Sequence, residues 1–139
     1  MTLLDVSIVT AEKSLYQGKA KRIVCPGQMG EFEVLSGHAP MLSMLNPGQI
    51  MIDQLDDEAY FYVSGGVVEI QPHSVIVLAD SGDRAQDLDE AKALEAQRKA
   101  QAMLDSQQAN VNFTEVYLEL AKAMSQIKVI QKLRMKRGK

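Results

Sequence analysis

Apolar and polar residues alternate over short stretches through roughly the first 80 positions, after which apolar residues recur every third or fourth position. Val6 and Ile8 flank Ser7, and Val9 breaks the alternation. Gly18 punctuates before Lys21-Arg22-Ile23-Val24, a run that ends at Pro26-Gly27. Gly30 opens a stretch in which Phe32 and Val34 alternate with Glu31 and Glu33, and Ser36-Gly37-His38-Ala39-Pro40 reads as a loop. Asn46-Pro47-Gly48 is a turn signal, because proline presets φ and glycine accepts positive φ. Residues 49–54 and 59–63 flank Asp56-Asp57 as the arms of a hairpin. Ser64-Gly65-Gly66 then separates Tyr60-Phe61-Tyr62-Val63 from Val67-Val68-Glu69-Ile70, and Gln71-Pro72-His73-Ser74 turns into residues 75–79. Strands this short, with turns at this spacing, predict an antiparallel sandwich or barrel.

The period changes near residue 86. Asp87-Leu88-Asp89-Glu90 reads as a capping box, with Asp87 accepting a backbone N–H and Glu90 reaching back. The spacing predicts a helix to about Asp105 with Ala93, Ala96, Ala100 and Met103 on one stripe. Residues 106–111 form a polar break, and Asn112-Phe113-Thr114-Glu115 repeats the capping pattern. A second helix is expected to about Met135, with Val116, Leu120, Ala123, Ile127 and Ile130 at heptad-like steps. So short a break makes the two helices antiparallel neighbours. The expected organisation is a β domain over residues 1–85 and a helical hairpin over 86–139. An alanine seam lets backbones approach closely but buries little apolar area, at about 25 cal/mol per Å². The hairpin is therefore expected to be only modestly stable against unpacking, which suits a switch.

Composition narrows the class. A chain of 139 residues, 46% hydrophobic, fits one ordinary domain or a small domain with an appendage. No apolar run approaches the roughly 20 residues of a membrane-spanning helix, so no membrane insertion is expected. Met1-Thr2-Leu3-Leu4-Asp5 lacks the basic region of a signal peptide. The single cysteine, Cys25, permits no intrachain disulfide and suits a reducing compartment. Net charge is −3, but residues 120–139 hold seven cations, Lys122, Lys128, Lys132, Arg134, Lys136, Arg137 and Lys139, and no acid. The remaining 8 Lys/Arg face all 18 Asp/Glu, a balance of −10. That asymmetry leaves two readings open: a tail that meets an acidic surface, or a solvated helix end whose cations suit the dipole.

Catalytic signatures are missing. The Gly18-Lys19 pair fails as a P-loop twice, with Lys13 where the first glycine belongs and Ala20 where Ser or Thr belongs. Two histidines and one cysteine without ligand spacing make no usual zinc site, so neither a metal nor a catalytic residue is expected. Cys25 reads as a small buried hydrophobe, His73 as a turn residue and His38 as a loop or interface residue. Single-strand nucleic-acid binders pair cations with stacking aromatics, and residues 120–139 contain no aromatic. A free-standing adaptor with a helical arm and a small carboxylate-dependent enzyme remain as alternative classes.

Two stretches resemble a known family. Gly30-Glu31-Phe32-Glu33-Val34-Leu35-Ser36-Gly37-His38-Ala39-Pro40-Met41-Leu42 is similar to the loop segment of ATP synthase epsilon subunits, bacterial type. Tyr62-Val63-Ser64-Gly65-Gly66-Val67-Val68-Glu69-Ile70-Gln71-Pro72 resembles that family's Ser-Gly-Gly strand pair, and Leu88-Asp89-Glu90-Ala91-Lys92-Ala93 its first helix. The resemblance implies an α+β architecture: a ten-stranded antiparallel β-sandwich followed by a two-helix antiparallel hairpin. It implies a non-catalytic subunit on the central stalk of a proton-translocating ATP synthase, peripheral to the cytoplasmic face of a bacterial cell membrane. The partners implied are the gamma subunit and the c-ring, with Glu31 and His38 in the contact. When the helices extend, they are expected to meet the alpha and beta subunits and inhibit ATP hydrolysis. Lys122, Lys128, Lys132, Arg134 and Lys136 then face acidic segments, which supplies a partner for the charge asymmetry.

The sequence also departs from the family pattern. Glu33 stands where glycine is usual and Ser36 where proline is usual. Some bacterial members hold regulatory ATP between the helices. Leu88 and Asp89 match that pattern, but Lys92 replaces an arginine, and a lysine lacks the planar fork that clamps phosphate. No other cofactor is implied.

Overall fold

The computed structural model describes residues 2–106 and 112–137, apart from the side chains of Lys136 and Arg137. The chain divides into two compact units, Met1–Arg84 and Ala85–Lys139. In the first unit the strands are β1 (Leu4–Val9), β2 (Ser14–Ala20), β3 (Arg22–Gly27), β4 (Gly30–Leu35) and β5 (Met41–Leu45), then β6 (Gly48–Asp53), β7 (Glu58–Val63), β8 (Gly66–Gln71), β9 (Ser74–Ala79) and β10 (Gly82–Arg84). They pair in the order β10-β7-β6-β3-β5-β8-β9-β1-β2, with β4 attached to β3. The ends of this path approach each other, since Lys13, just before β2, reaches Asp83 of β10 at 3.2 Å. The result is a ten-stranded sandwich close to a closed barrel. Alternate residues point inward: Val6 and Ile8 of β1, Val68 and Ile70 of β8, and Val75 and Val77 of β9 meet Ile23, Cys25, Val34, Ile50 and Ile52 in one core. Fully burying a Val, Leu or Ile side chain contributes about 1.5–3 kcal/mol.

One pair is parallel. β1 lies beside β9 in the register Asp5↔Ser74 to Val9↔Leu78, which a period of two cannot foresee because inward residues line up in either direction. Val9, where the alternation falters, marks a shift of register in the β1–β2 ladder between Ile8 and Val9, and such bulges re-aim the strand. Three strands escaped the sequence pattern: β2, β5 and the short β10. Gly18, which reads as punctuation, lies inside β2. A side chain there would meet the Tyr16 ring, with the hydroxyl 3.1 Å from the Cβ position, and that hydroxyl donates to the Lys19 carbonyl at 3.0 Å.

In the second unit a short 3₁₀ turn (Ala85–Asp87) precedes α1 (Glu90–Asp105) and α2 (Phe113–Arg137). The cap of α1 is Asp89, not Asp87: its carboxylate accepts from the Lys92 N–H at 3.1 Å. Asp87 is drawn into the 3₁₀ turn, which Leu88 closes by donating to the Ala85 carbonyl at 3.2 Å. At α2, Asn112 caps as expected, accepting from the Glu115 N–H at 3.3 Å. Residues 107–111 of the break lie outside the described residues. The seam buries Ala93 and Ala100 of α1 and Val116, Ala123 and Ile130 of α2. Met103, expected in the seam, is 46% exposed. The helices run antiparallel, because Arg134 near the end of α2 reaches Glu90 at the start of α1.

Candidate functional site

Pleating that sends Val68, Ile70, Val75 and Val77 into the core sends their neighbours out. Two cross-strand rows result on the outer face of β5, β8, β9 and β1. One is Leu42, Glu69, Ile76 and Ser7; the other is Met44, Val67, Leu78 and Val9. Leu42 is 71% exposed, Met44 54%, Ile76 41% and Leu78 53%, so the rows form a contiguous apolar surface with Glu69 inside it. Soluble monomers rarely leave such patches open without a use. The sequence reading missed this face. The signal was the unbroken run Val75-Ile76-Val77-Leu78-Ala79, since a strand apolar on both sides needs cover on both.

Glu31 and His38 do not share a loop. Glu31 is exposed on β4 opposite Pro26, beside the Gly27–Gly30 turn from which Met29 projects fully into solvent. His38 follows the other end of β4, and the four steps from Glu31 to Leu35 span about 13 Å of strand. The loop around His38 is tied to the β8–β9 turn: the Gly37 N–H donates to the Pro72 carbonyl at 2.6 Å, and the Ser36 hydroxyl lies 3.3 Å from His73 Nδ1. His38 Nδ1 lies 2.7 Å from the Ala39 carbonyl, which can only accept. Nδ1 is therefore the donor, and the neutral ring presents Nε2 as an acceptor. Ser64-Gly65-Gly66 has a structural task. Both glycines hold positive φ, while the Ser64 N–H donates to the Ser81 carbonyl and the Asp80 N–H to the Gly65 carbonyl.

On α2, Lys122 is half-buried while Lys128 and Lys132, four residues apart, are exposed on one side. Arg134 Nη2 donates to Glu90 Oε2 at 2.6 Å. The side chain of Lys136 lies outside the described residues. No helix of the described residues is long and apolar enough to cross a membrane.

Residues 3–85 match the sequence family described as ATP synthase, Delta/Epsilon chain, beta-sandwich domain, and residues 86–131 match its long alpha-helix domain. The chain belongs to the ATP synthase delta/epsilon family. It is an accessory chain of that kind rather than a catalytic one. It is 44% identical over 135 residues to the ATP synthase epsilon chain of Alkalilimnicola ehrlichii, covering 96% of each chain. It is 45% identical over 141 residues to that of Halorhodospira halophila, covering 100% of this chain and 99% of the relative. Among solved structures, a chain of the Euglena gracilis mitochondrial ATP synthase OSCP/F1/c-ring assembly shares the fold at TM-score 0.79 and 18% identity, covering 97% of this chain and 82% of that one. A chain of the Tetrahymena thermophila mitochondrial ATP synthase central stalk and c-ring does so at 0.55 and 13%, covering 94% and 95%.

The delta/epsilon hairpin of this chain fits a nucleotide poorly. The Asp89 carboxylate is engaged by its own helix, Leu88 is half-buried against the 3₁₀ turn, and Arg134 is committed to Glu90. Lys92 is left as a single point donor. A groove of about 320 Å³ between the helices, lined by Ala100, Met103 and Val116, carries Glu115 and Glu119 against one cation, Lys99. That balance disfavours phosphate.

Proposed function

We propose that this chain is a central-stalk subunit of a rotary ATP synthase. Its β unit is gripped by the gamma subunit and the c-ring at the cytoplasmic face of a bacterial membrane, so rotation driven by ion flow reaches the catalytic head. Its basic second helix restrains ATP hydrolysis by meeting acidic segments of the alpha and beta subunits. The observation that carries the reading is the two-row apolar face of β5, β8, β9 and β1, in a chain of this family. It is sheet-borne, and contiguous exposed apolar patches mark interaction sites. Glu69 within it and His38 near its edge offer acceptors for a partner's donors. Gamma is the proposed occupant of this face, and the protruding Met29 and neighbouring Glu31, at the other end of β4 from His38, are assigned to the polar loops of the c-ring.

Co-purification with gamma tests the assignment. Ile76→Glu with Leu78→Glu should abolish recovery of the chain with gamma while leaving its thermal unfolding within a few degrees of wild type. Undiminished co-purification of the doubly substituted, folded chain would refute the docking face. A double reversal of exposed charges elsewhere on the β unit, Glu12 and Asp56, serves as the control.

A further inference from the structure

The cations of α2 are not equivalent. Among the described residues, Lys128 and Lys132 form no ion pair, whereas Arg134 is bound across the hairpin to a carboxylate 44 positions earlier. The contact, at 2.6 Å, is a charge-assisted hydrogen bond. Glu90 is the first residue of α1, where the helix dipole already favours a negative charge. Asp89 beside it serves as the cap, so Glu90 is left to reach across.

We infer that Glu90 is an internal stand-in for the acidic partner of α2: it holds the Arg134 guanidinium while the hairpin is closed and must release it before that guanidinium can meet the head. The inference rests on the proposed reading of α2 as a basic arm and deepens it by naming what holds the arm back. The energetics have a definite asymmetry. Removing the charge of Glu90 deletes an ion pair from the closed state alone. Removing the charge of Arg134 deletes one pair from the closed state and one from the engaged state. Both side chains are substantially solvated, so the bias is about two- to fivefold. That is enough to matter only if the closed hairpin is weak, which the small area that Ala93, Ala100 and Ala123 bury in the seam favours.

Hydrogen exchange on the full chain and ATP hydrolysis by the assembled complex, both at low salt, test this together. Helices in proteins draw most of their stability from tertiary packing, so opening shows as exchange in α1 and α2. Glu90→Gln and Arg134→Gln should each speed that exchange about two- to fivefold and leave the strands of the β unit unchanged. The reversed pair, Glu90→Arg with Arg134→Glu, should restore part of the protection. In the complex, Glu90→Gln should deepen inhibition by a similar factor, whereas Arg134→Gln should leave it nearly unchanged. Unaltered exchange in Glu90→Gln, no recovery in the reversed pair, or equal effects of the two single variants on hydrolysis would each overturn the inference. Deleting residues 113–139 separates the failures. If the deletion leaves hydrolysis unchanged, the arm reading falls and takes this inference with it. If it relieves inhibition while Glu90→Gln changes nothing, only the inference falls.

Discussion

A methyl group on Gly66 would run into the Leu78 carbonyl, and the backbone there holds φ at +140°. Gly30 holds φ at +125° with open space around it. Gly30→Ala therefore meets backbone strain alone, about 1–3 kcal/mol, while Gly66→Ala adds a collision with main chain that cannot rotate away. Urea denaturation of the strand unit should show Gly66→Ala costing at least twice what Gly30→Ala costs. Both glycines are legible as turn residues, but only the coordinates distinguish a conformational need from a steric one. Gly18 shows the opposite error, a glycine inside a strand whose reason is the Tyr16 ring folded over it. Cys25 is a buried hydrophobe, as its lone occurrence suggests, and burial pushes its thiol up to about 12 from 9.0. Between those values the folded chain keeps a proton that the unfolded chain has lost. Stability therefore falls as pH rises through that window, by about 1.4 kcal/mol per unit, and the effect is absent below it. Denaturation midpoints compared below and above pH 9 should show a steeper loss for wild type than for Cys25→Val.

At the level of elements, periodicity located seven strands and both helices, and its failures have physical causes. β5 carries Leu42 and Met44 on the side away from the core, so it shows no alternation of apolar and polar positions. β10 is three residues long, too short to carry a period. Two acids at similar distance competed for the α1 cap, and the 3₁₀ turn, with Ala85 buried, decided for Asp89. Asp89→Ala should cost about 0.5–2 kcal/mol of local helix stability, seen as faster amide exchange near Lys92 and Ala93. Asp87→Ala should change it little. An equal loss in both would return the cap to a shared box. The candidate site was legible where it depended on charge, as with the α2 cations, and not where it depended on strand neighbours. The apolar rows exist only once four strands from different parts of the chain are laid side by side.

For the whole molecule, the proposed division of labour is between a sheet unit with an exposed apolar face and a cationic hairpin seamed partly by alanines. Reversing Lys128 and Lys132 to Glu should weaken inhibition of ATP hydrolysis in the assembled complex, and the difference from wild type should shrink as salt shortens the Debye length to about 8 Å at physiological strength. Equal inhibition at every salt concentration would mean that packing, not charge, positions the arm. The parallel seating of β1 against β9 has a further consequence, one that belongs to biogenesis. β1 ends at Val9 and its partner begins at Ser74, so on the ribosome the first strand waits roughly 3–13 s for the last neighbour it needs. During that interval a nascent chain offers an unsatisfied edge flanked by Val6 and Ile8. Closure of the sandwich therefore waits for β9, and C-terminal truncations that remove β9 should aggregate rather than fold.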